Sequence, residues 1–216
     1  LGARRPLLLT DKGVGGSGLA TLLANMLAEG GLPVAAIWDE IPADSSTAVV
    51  ERIATHWREL GCDSLVALGG GSVIDTAKAV NILVTLGGER LLDHAGAGCL
   101  TRPLKPLAAV PTTAGTGSEV TLVAVIRDEG SGRKVPFTSP FLLPQLAVLD
   151  PRLTRGLPLP ITAATAMDAM THAIEAFIGN AKNPVSDALA LMAVEKIADA
   201  LPRVLLAPED KHLRLQ

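Results

Sequence analysis

Short apolar runs alternate with longer helical patterns in this sequence, and this alternation limits the possible folds more than any other feature. The runs are apolar throughout, which is typical of strands buried on both faces of a sheet. The alternation therefore predicts a parallel β-sheet with helices packed on both sides. The predicted strands lie at 6–10, 33–38, 64–72 and 106–113, and the predicted helices lie at 17–31, 44–62 and 73–86.

The pattern changes near residue 120. The segments VTLVAVIRD, EGSG and RKVPF predict a β-hairpin, and LLPQLAVLD (142–150) predicts one more strand. Two later segments, 161–179 and 184–206, have helical periodicity. We expect Pro202 to bend or end the second helix, because proline has no N–H to donate and its ring clashes with the preceding turn.

These elements predict two domains. An α/β domain covers 1–158, and the beginning of an all-helical domain covers 159–216. A helical domain of little more than two helices cannot easily bury its own faces, and the chain opens almost on a strand. We therefore expect that sequence is missing at both ends.

Composition excludes several classes of protein. The net charge is −3 and the 19 basic residues are scattered, so the sequence lacks the basic stripe of a nucleic-acid-binding protein. No apolar run approaches the roughly 18 residues of a membrane span, and the first residues lack the order of a signal peptide. Cys62 and Cys99 lie far apart, which argues against a disulfide framework and for a cytoplasmic location.

A glycine turn follows the third predicted strand in ALGGGSVIDTAK. Gly69, Gly70 and Gly71 let a ligand approach the backbone, and the helix that follows favours an anion at its N-terminus. The turn matches neither standard nucleotide fingerprint, and it can also serve only to pack the helix on the strand. Asp75 and Lys78 lie one turn apart, as either an intrahelical ion pair or ligand contacts.

A second polar loop, PTTAGTGSEVT (111–121), follows the next predicted strand. Open α/β sheets bind nucleotides where such loops meet at the carboxyl edge, although a Gly/Thr turn can also satisfy only its own backbone. Two such loops in one short sheet favour the nucleotide interpretation. Hydroxylated side chains crowd around Gly115 and Gly117 in this loop, namely those of Thr112, Thr113, Thr116 and Ser118.

Asp11 closes the first predicted strand in LLLTDKG. A carboxylate after a strand can accept hydrogen bonds from ribose hydroxyls and would repel a 2′-phosphate. A lone aspartate before lysine and glycine is also a common turn residue. Asp11 by itself leaves both interpretations open.

Asp168 and His172 lie four residues apart in MDAMTHAIEAF, within a predicted helix. Residues at this spacing share one helix face, so the carboxylate and the imidazole can bind one metal ion. Such ligands suit Fe²⁺ or Zn²⁺. The alternative is a simple charge pair along the helix, and Glu175 is not counted as a ligand.

Together these segments resemble the iron-containing (group III, metal-dependent) alcohol dehydrogenase family. GGGSVIDTAK resembles its glycine motif, PTTAGTGSEVT its threonine loop, and TAATAMDAMTHAIEAF its first metal-binding helix. LPQLAVLDPRLTRGLP resembles the segment that leads to that helix, so the resemblance runs in order over essentially the whole chain. It implies an N-terminal Rossmann-like NAD-binding domain, followed by the start of a helical domain that binds a divalent metal and substrate.

The resemblance also implies roles for individual residues. Two further histidines from later helices complete the metal shell in the family, and His56, His94 and His212 lie in no similar motif. One departure is EIPADSS (40–46), where many members have an Asn-Pro pair beside the nicotinamide ribose. The implied roles are pyrophosphate binding for Gly70, Gly71 and Ser72, lining of the cofactor site for Thr112, Thr113, Thr116 and Lys134, preference for NAD over NADP for Asp11, and metal ligation for Asp168 and His172.

The activity implied is that of a metal-dependent NAD(P) oxidoreductase that interconverts an alcohol and an aldehyde or ketone by hydride transfer. One alternative is an NAD- and metal-dependent lyase or cyclase of the dehydroquinate synthase type. Another is a nucleotide-binding fragment without catalysis, if the chain is complete. The resemblance further implies a homodimer or higher homo-oligomer, and we expect these 216 residues alone to be inactive.

Overall fold

A computed structural model describes residues 2–96 and 98–215 of the chain. The strands within these ranges are β1 (Pro6–Leu9), β2 (Ala36–Trp38), β3 (Ser64–Gly69), β4 (Leu107–Pro111), β5 (Val123–Arg127), β6 (Lys134–Thr138) and β7 (Leu146–Ala147). The α-helices within them are α1 (Lys12–Gly16), α2 (Leu19–Glu29), α3 (Thr47–Glu59), α4 (Gly71–Leu86), α5 (Leu159–Ile178), α6 (Pro184–Leu206) and α7 (Lys211–Leu215).

Five strands form one parallel sheet in the order β2-β1-β3-β4-β7. Every residue of β1 and β3 is buried, as expected for strands covered on both faces. Helix α3 packs through Val50, Ile53, Ala54 and Trp57, which form the stripe of one helix face. The prediction of a parallel sheet covered by helices is therefore confirmed.

β5 and β6 pair antiparallel in a separate two-stranded sheet, which confirms the predicted hairpin. Burial alternates along β5, where Ala124 and Ile126 are buried and Val125 and Arg127 are exposed. The hairpin therefore has one face in the core and one face in solvent.

The helix predicted over 17–31 is confirmed as α2, which begins after Gly18, a residue in a left-handed conformation (φ 83°). The short helix α1 was not predicted, and two other predicted elements differ from the structure. β7 is much shorter than 142–150, since Pro144 has no N–H for the ladder. Pro202 does not end α6, which continues to Leu206; at this position the proline leaves only one carbonyl near the end of the helix without its donor.

The chain divides into two compact units. The first comprises Leu1–Pro111 and Ser118–Val148, with both sheets, and the second comprises Thr112–Gly117 and Leu149–Gln216, with α5 to α7. The domain boundary predicted near residue 158 stays a prediction. No helix in the described part of the chain has both the length and the apolar character that a bilayer crossing requires.

Candidate functional site

The parallel sheet has a topological switch point between β1 and β3. Strands β2 and β1 lie on one side of this point, and β3, β4 and β7 lie on the other. Doubly wound sheets with this strand order bind ligands outside the carboxyl ends of the two strands at the switch point. In this chain those strand ends lead into Thr10 and Asp11 on one side and Gly70 on the other.

Thr10 links the ends of these strands through hydrogen bonds. Its side chain is fully buried, and its Oγ1 donates to the carbonyl of Leu68 at 2.7 Å. Its backbone N–H donates to the carbonyl of Trp38 at 2.8 Å. The sequence analysis missed this residue, because a threonine at the end of an apolar run carries no signal of its partners.

Asp11 begins α1 and caps it. Its Oδ1 accepts a hydrogen bond from the N–H of Val14 at 2.9 Å. This is the local role that the turn interpretation gave to the residue. Its role in selecting NAD over NADP stays a prediction, and its place beyond β1 at the switch point is compatible with that role.

Gly69 and Gly70 in the glycine turn have different local roles. A Cβ on Gly69 would lie 2.6 Å from Cγ2 of Val73, so this glycine lets α4 pack closely on β3. Gly70 is the N-cap of α4, and no side chain caps the helix there. The N-terminus of α4 therefore offers uncapped N–H groups and the positive end of the helix dipole to an anion.

Asp75 and Lys78 on α4 bind the backbone of the segment around β5 (Val123–Arg127). The Lys78 ammonium is fully buried and donates to the carbonyls of Thr121 and Val123, each at 2.8 Å. Asp75 Oδ2 accepts from the N–H of Val125 at 2.9 Å. These contacts go beyond an intrahelical ion pair, because both side chains hold the hairpin against the glycine-turn helix.

The surroundings of both groups oppose their charges. Burial lowers the pKa of Lys78 to about 8, although the nearby carboxylates of Asp75 and Glu119 act in the opposite direction. Burial raises the pKa of Asp75, against the N–H of Val125 and the charge of Lys78. The polar partners of each side chain thus offset part of the cost of burying its charge.

Lys134 lies at the start of β6 and pairs with Asp44. Its Nζ is 2.9 Å from Oδ1 of Asp44, and Nε of Arg127 is 3.7 Å from Oδ2 of the same carboxylate. The N–H of Asp44 donates to Oγ of Ser72 at 3.3 Å. Lys134 and the glycine turn, which the sequence analysis connected only through the family resemblance, are therefore linked through one residue.

Residues Thr112–Gly117 of the threonine loop belong to the second unit. Thr112 is buried, while Thr113 and Thr116 are half-buried. A Cβ on Gly115 would lie 2.5 Å from the carbonyl oxygen of Thr165 on α5, so only glycine allows this approach. The cofactor contacts of the three threonines stay predictions.

Asp168 and His172 lie on α5 as the spacing predicts. Oδ1 of Asp168 is 3.7 Å from Nε2 of His172, and both side chains are about half exposed. Among the residues that the structure describes, no group of three or more His, Cys, Asp or Glu side chains could hold a metal ion. The pair has the right chemistry for two ligands of a shell, and metal binding stays a prediction.

Two other histidines have local partners. The ring of His56 lies 5.4 Å from that of Trp38, and Nε2 of His94 lies 3.0 Å from the carbonyl of Gly87. Both belong to the first unit, whereas Asp168 and His172 belong to the second.

The strand order and the glycine turn at the carboxyl edge define a Rossmann-like α/β protein. Models of two families match the chain: "Iron-containing alcohol dehydrogenase" over residues 1–151, and "Fe-containing alcohol dehydrogenase family, C-terminal" over residues 162–216. The chain therefore belongs to the iron-containing alcohol dehydrogenase family.

Individual relatives agree with this assignment. The chain is 47% identical over 219 residues to 4-hydroxybutyrate dehydrogenase of Cupriavidus necator, covering 100% of this chain and 56% of the relative. It is 39% identical over 214 residues to NAD-dependent methanol dehydrogenase of Bacillus methanolicus, covering 99% and 56%. The crystal structure of sulfoacetaldehyde reductase from Bifidobacterium kashiwanohense in complex with NAD⁺ superposes with a TM-score of 0.88 at 32% identity, covering 99% of this chain and 56% of that one. The chain thus spans about half the length of these relatives.

Proposed function

We propose that this protein is a metal-dependent NAD(P) oxidoreductase that interconverts an alcohol and an aldehyde or ketone by hydride transfer. The observation that carries the proposal is the uncapped N-terminus of α4, which directly follows β3 at the switch point of the sheet. Membership of a family whose relatives include an NAD-dependent methanol dehydrogenase supports the same activity. These findings favour a dehydrogenase over the lyase or cyclase alternative.

The residues proposed to hold NAD have different tasks. Backbone N–H groups at the start of α4 would bind the pyrophosphate, because they have no side-chain cap and lie at the positive end of the helix dipole. Asp11 would accept hydrogen bonds from ribose hydroxyls and disfavour a 2′-phosphate. The full proposed set is Asp11, Gly70, Gly71, Ser72, Thr112, Thr113, Thr116 and Lys134.

Asp168 and His172 are proposed as ligands of Fe²⁺ or Zn²⁺. A carboxylate and an imidazole on one helix face fit such an ion, and further ligands are needed for a closed shell. When bound, the metal would supply Lewis acidity and NAD would supply a hydride acceptor. The role of the protein would be to hold the carboxylate and the imidazole together on α5 and to orient the nucleotide.

The remaining proposals concern the setting of the reaction. The substrate class is small alcohols and the corresponding aldehydes or ketones. We propose a cytoplasmic homodimer or higher homo-oligomer.

The test is an activity assay with a matched control. An intact-mass measurement on the native protein first establishes the polypeptide, which is then assayed for NADH formation with Fe²⁺ or Zn²⁺ and alcohols such as 4-hydroxybutyrate and methanol. Asp168→Asn should lower turnover at least about tenfold, since a lost ligand costs no less than a lost supporting partner. Glu175→Gln, on the same helix, should not. Failure to reduce NAD with every alcohol, or equal turnover in Asp168→Asn, would contradict the proposal.

A further inference from the structure

Asp44 connects the glycine turn to the cations of the hairpin. Its carboxylate lies 2.9 Å from Nζ of Lys134 and 3.7 Å from Nε of Arg127. Its backbone N–H donates to Oγ of Ser72 at 3.3 Å. A negative charge therefore lies beside a turn proposed to bind pyrophosphate. The same carboxylate pairs with two cations that could otherwise attract the pyrophosphate.

The position of Asp44 does not depend on its charge. Arg127 donates its backbone N–H to the carbonyl of Ser45 at 3.0 Å, and Ser46 Oγ donates to Oε1 of Glu129 at 2.5 Å. Both contacts hold the segment on the hairpin independently of the Asp44 carboxylate. Asp44 itself has a left-handed backbone (φ 56°), which asparagine adopts as readily as aspartate. Asparagine can therefore replace Asp44 without moving the segment.

The ion pair is weak enough to be exchanged. The side chains of Asp44 and Lys134 are 48% and 65% exposed, and exposed ion pairs of this kind change equilibria by at most about fivefold. An incoming phosphate or ribose group can therefore compete with Asp44 for Lys134.

We propose that Asp44 sets the affinity of the nucleotide site by competing with the cofactor for Lys134 and Arg127. The proposal rests on the proposed function, in which Lys134 and the glycine turn bind NAD. A carboxylate at this position weakens binding of NADH and so speeds its release, a step that limits turnover in many enzymes. Asp44 is thus a residue that tunes cofactor affinity and that the sequence pattern did not reveal.

The test measures NADH affinity by fluorescence titration in wild type, Asp44→Asn, Lys134→Met and the double variant. Asp44→Asn should tighten binding about two- to fivefold, and added salt should shrink this gain. In the Lys134→Met background the gain should be smaller, because one of the released cations is absent. Asp93→Asn is the control for net charge, since Asp93 is an exposed aspartate of the same unit.

The outcomes distinguish the competition by Asp44 from the existence of the nucleotide site. If wild type binds NADH and Asp44→Asn binds it equally or more weakly, the competition is wrong while the nucleotide site stands. An equal gain in NADH affinity in Asp93→Asn, or a full gain for Asp44→Asn in the Lys134→Met background, would also overturn the inference. Either result would show that the affinity depends only on the net charge of the protein. If wild type does not bind NADH, the proposed function fails and the inference fails with it.

Discussion

Replacing Lys78 with methionine removes the ammonium that fastens the hairpin to α4. The side chain is fully buried, and it donates to the carbonyl of Thr121 at 2.8 Å, to Oγ1 of the same residue at 3.1 Å and to the carbonyl of Val123 at 2.8 Å. Methionine has a similar length and fills the same space, so the change removes hydrogen bonds without opening a large cavity.

The expected loss follows from the groups left without a partner. A buried carbonyl that loses its donor costs about 1–3 kcal/mol. The hydrogen bonds to the Thr121 and Val123 carbonyls are only partly buried, and Oγ1 of Thr121 also donates to the Val123 carbonyl at 3.4 Å. The two carbonyls together therefore cost about 2–4 kcal/mol. Methionine also removes the cost of burying a charge, a cost that is visible in the lowering of the Lys78 pKa to about 8. We therefore expect Lys78→Met to lower the free energy of unfolding by about 1–3 kcal/mol, a sizeable share of a typical 5–15 kcal/mol.

Urea titration followed by circular dichroism measures this free energy. Lys12→Met is the matched control, because Lys12 is exposed and surface changes usually stay within about 0.5 kcal/mol. An unfolding free energy of Lys78→Met within about 0.5 kcal/mol of wild type would refute the role assigned to these hydrogen bonds.

Three further predictions follow from single residues. Gly115→Ala should lower the melting temperature, because its Cβ would lie 2.5 Å from the carbonyl oxygen of Thr165; an unchanged melting temperature would contradict this. Because the pKa of Lys78 falls from 10.5 to about 8 on folding, the unfolded chain holds an extra proton between these values, so Lys78 should make the unfolding free energy rise with pH there. Urea midpoints at pH 8 and pH 10 measure that rise, which Lys78→Met should reduce, and equal slopes would count against it. Asp11→Ser should raise the affinity for NADPH relative to NADH, and an unchanged ratio in binding titrations would remove Asp11 from cofactor selection.

The sheet and the hairpin could be predicted because their signals are local. Runs that are apolar throughout indicate strands covered on both faces, and β1 and β3 are buried along their whole length. The spacing of Asp168 and His172 likewise predicted two side chains close together on α5. The short helix α1 was missed, since a glycine-rich segment such as KGVGG indicates a turn rather than a helix.

The side-chain partners could not be predicted in the same way. Lys78 binds a carbonyl 43 residues away, and Asp44 binds Lys134, which lies still farther along the chain. These pairs depend on how the hairpin packs against α4, which no local pattern specifies. A lysine one turn after an aspartate therefore suggested an intrahelical ion pair or ligand contacts, while in the structure Lys78 is fully buried and binds the backbone of the hairpin segment.

The central claim is that the uncapped start of α4 binds the pyrophosphate of NAD, and NADH titration of wild type and Gly71→Asp tests it most directly. A carboxylate in the first turn interacts favourably with the helix dipole, so the Gly71→Asp variant should fold, and circular dichroism checks this. The new carboxylate would, however, repel a diphosphate. We predict that wild type binds NADH and that Gly71→Asp binds it at least about tenfold more weakly, since a charge repulsion of about 1.4 kcal/mol is enough for that factor. Equal NADH affinity in the two folded proteins would contradict the account.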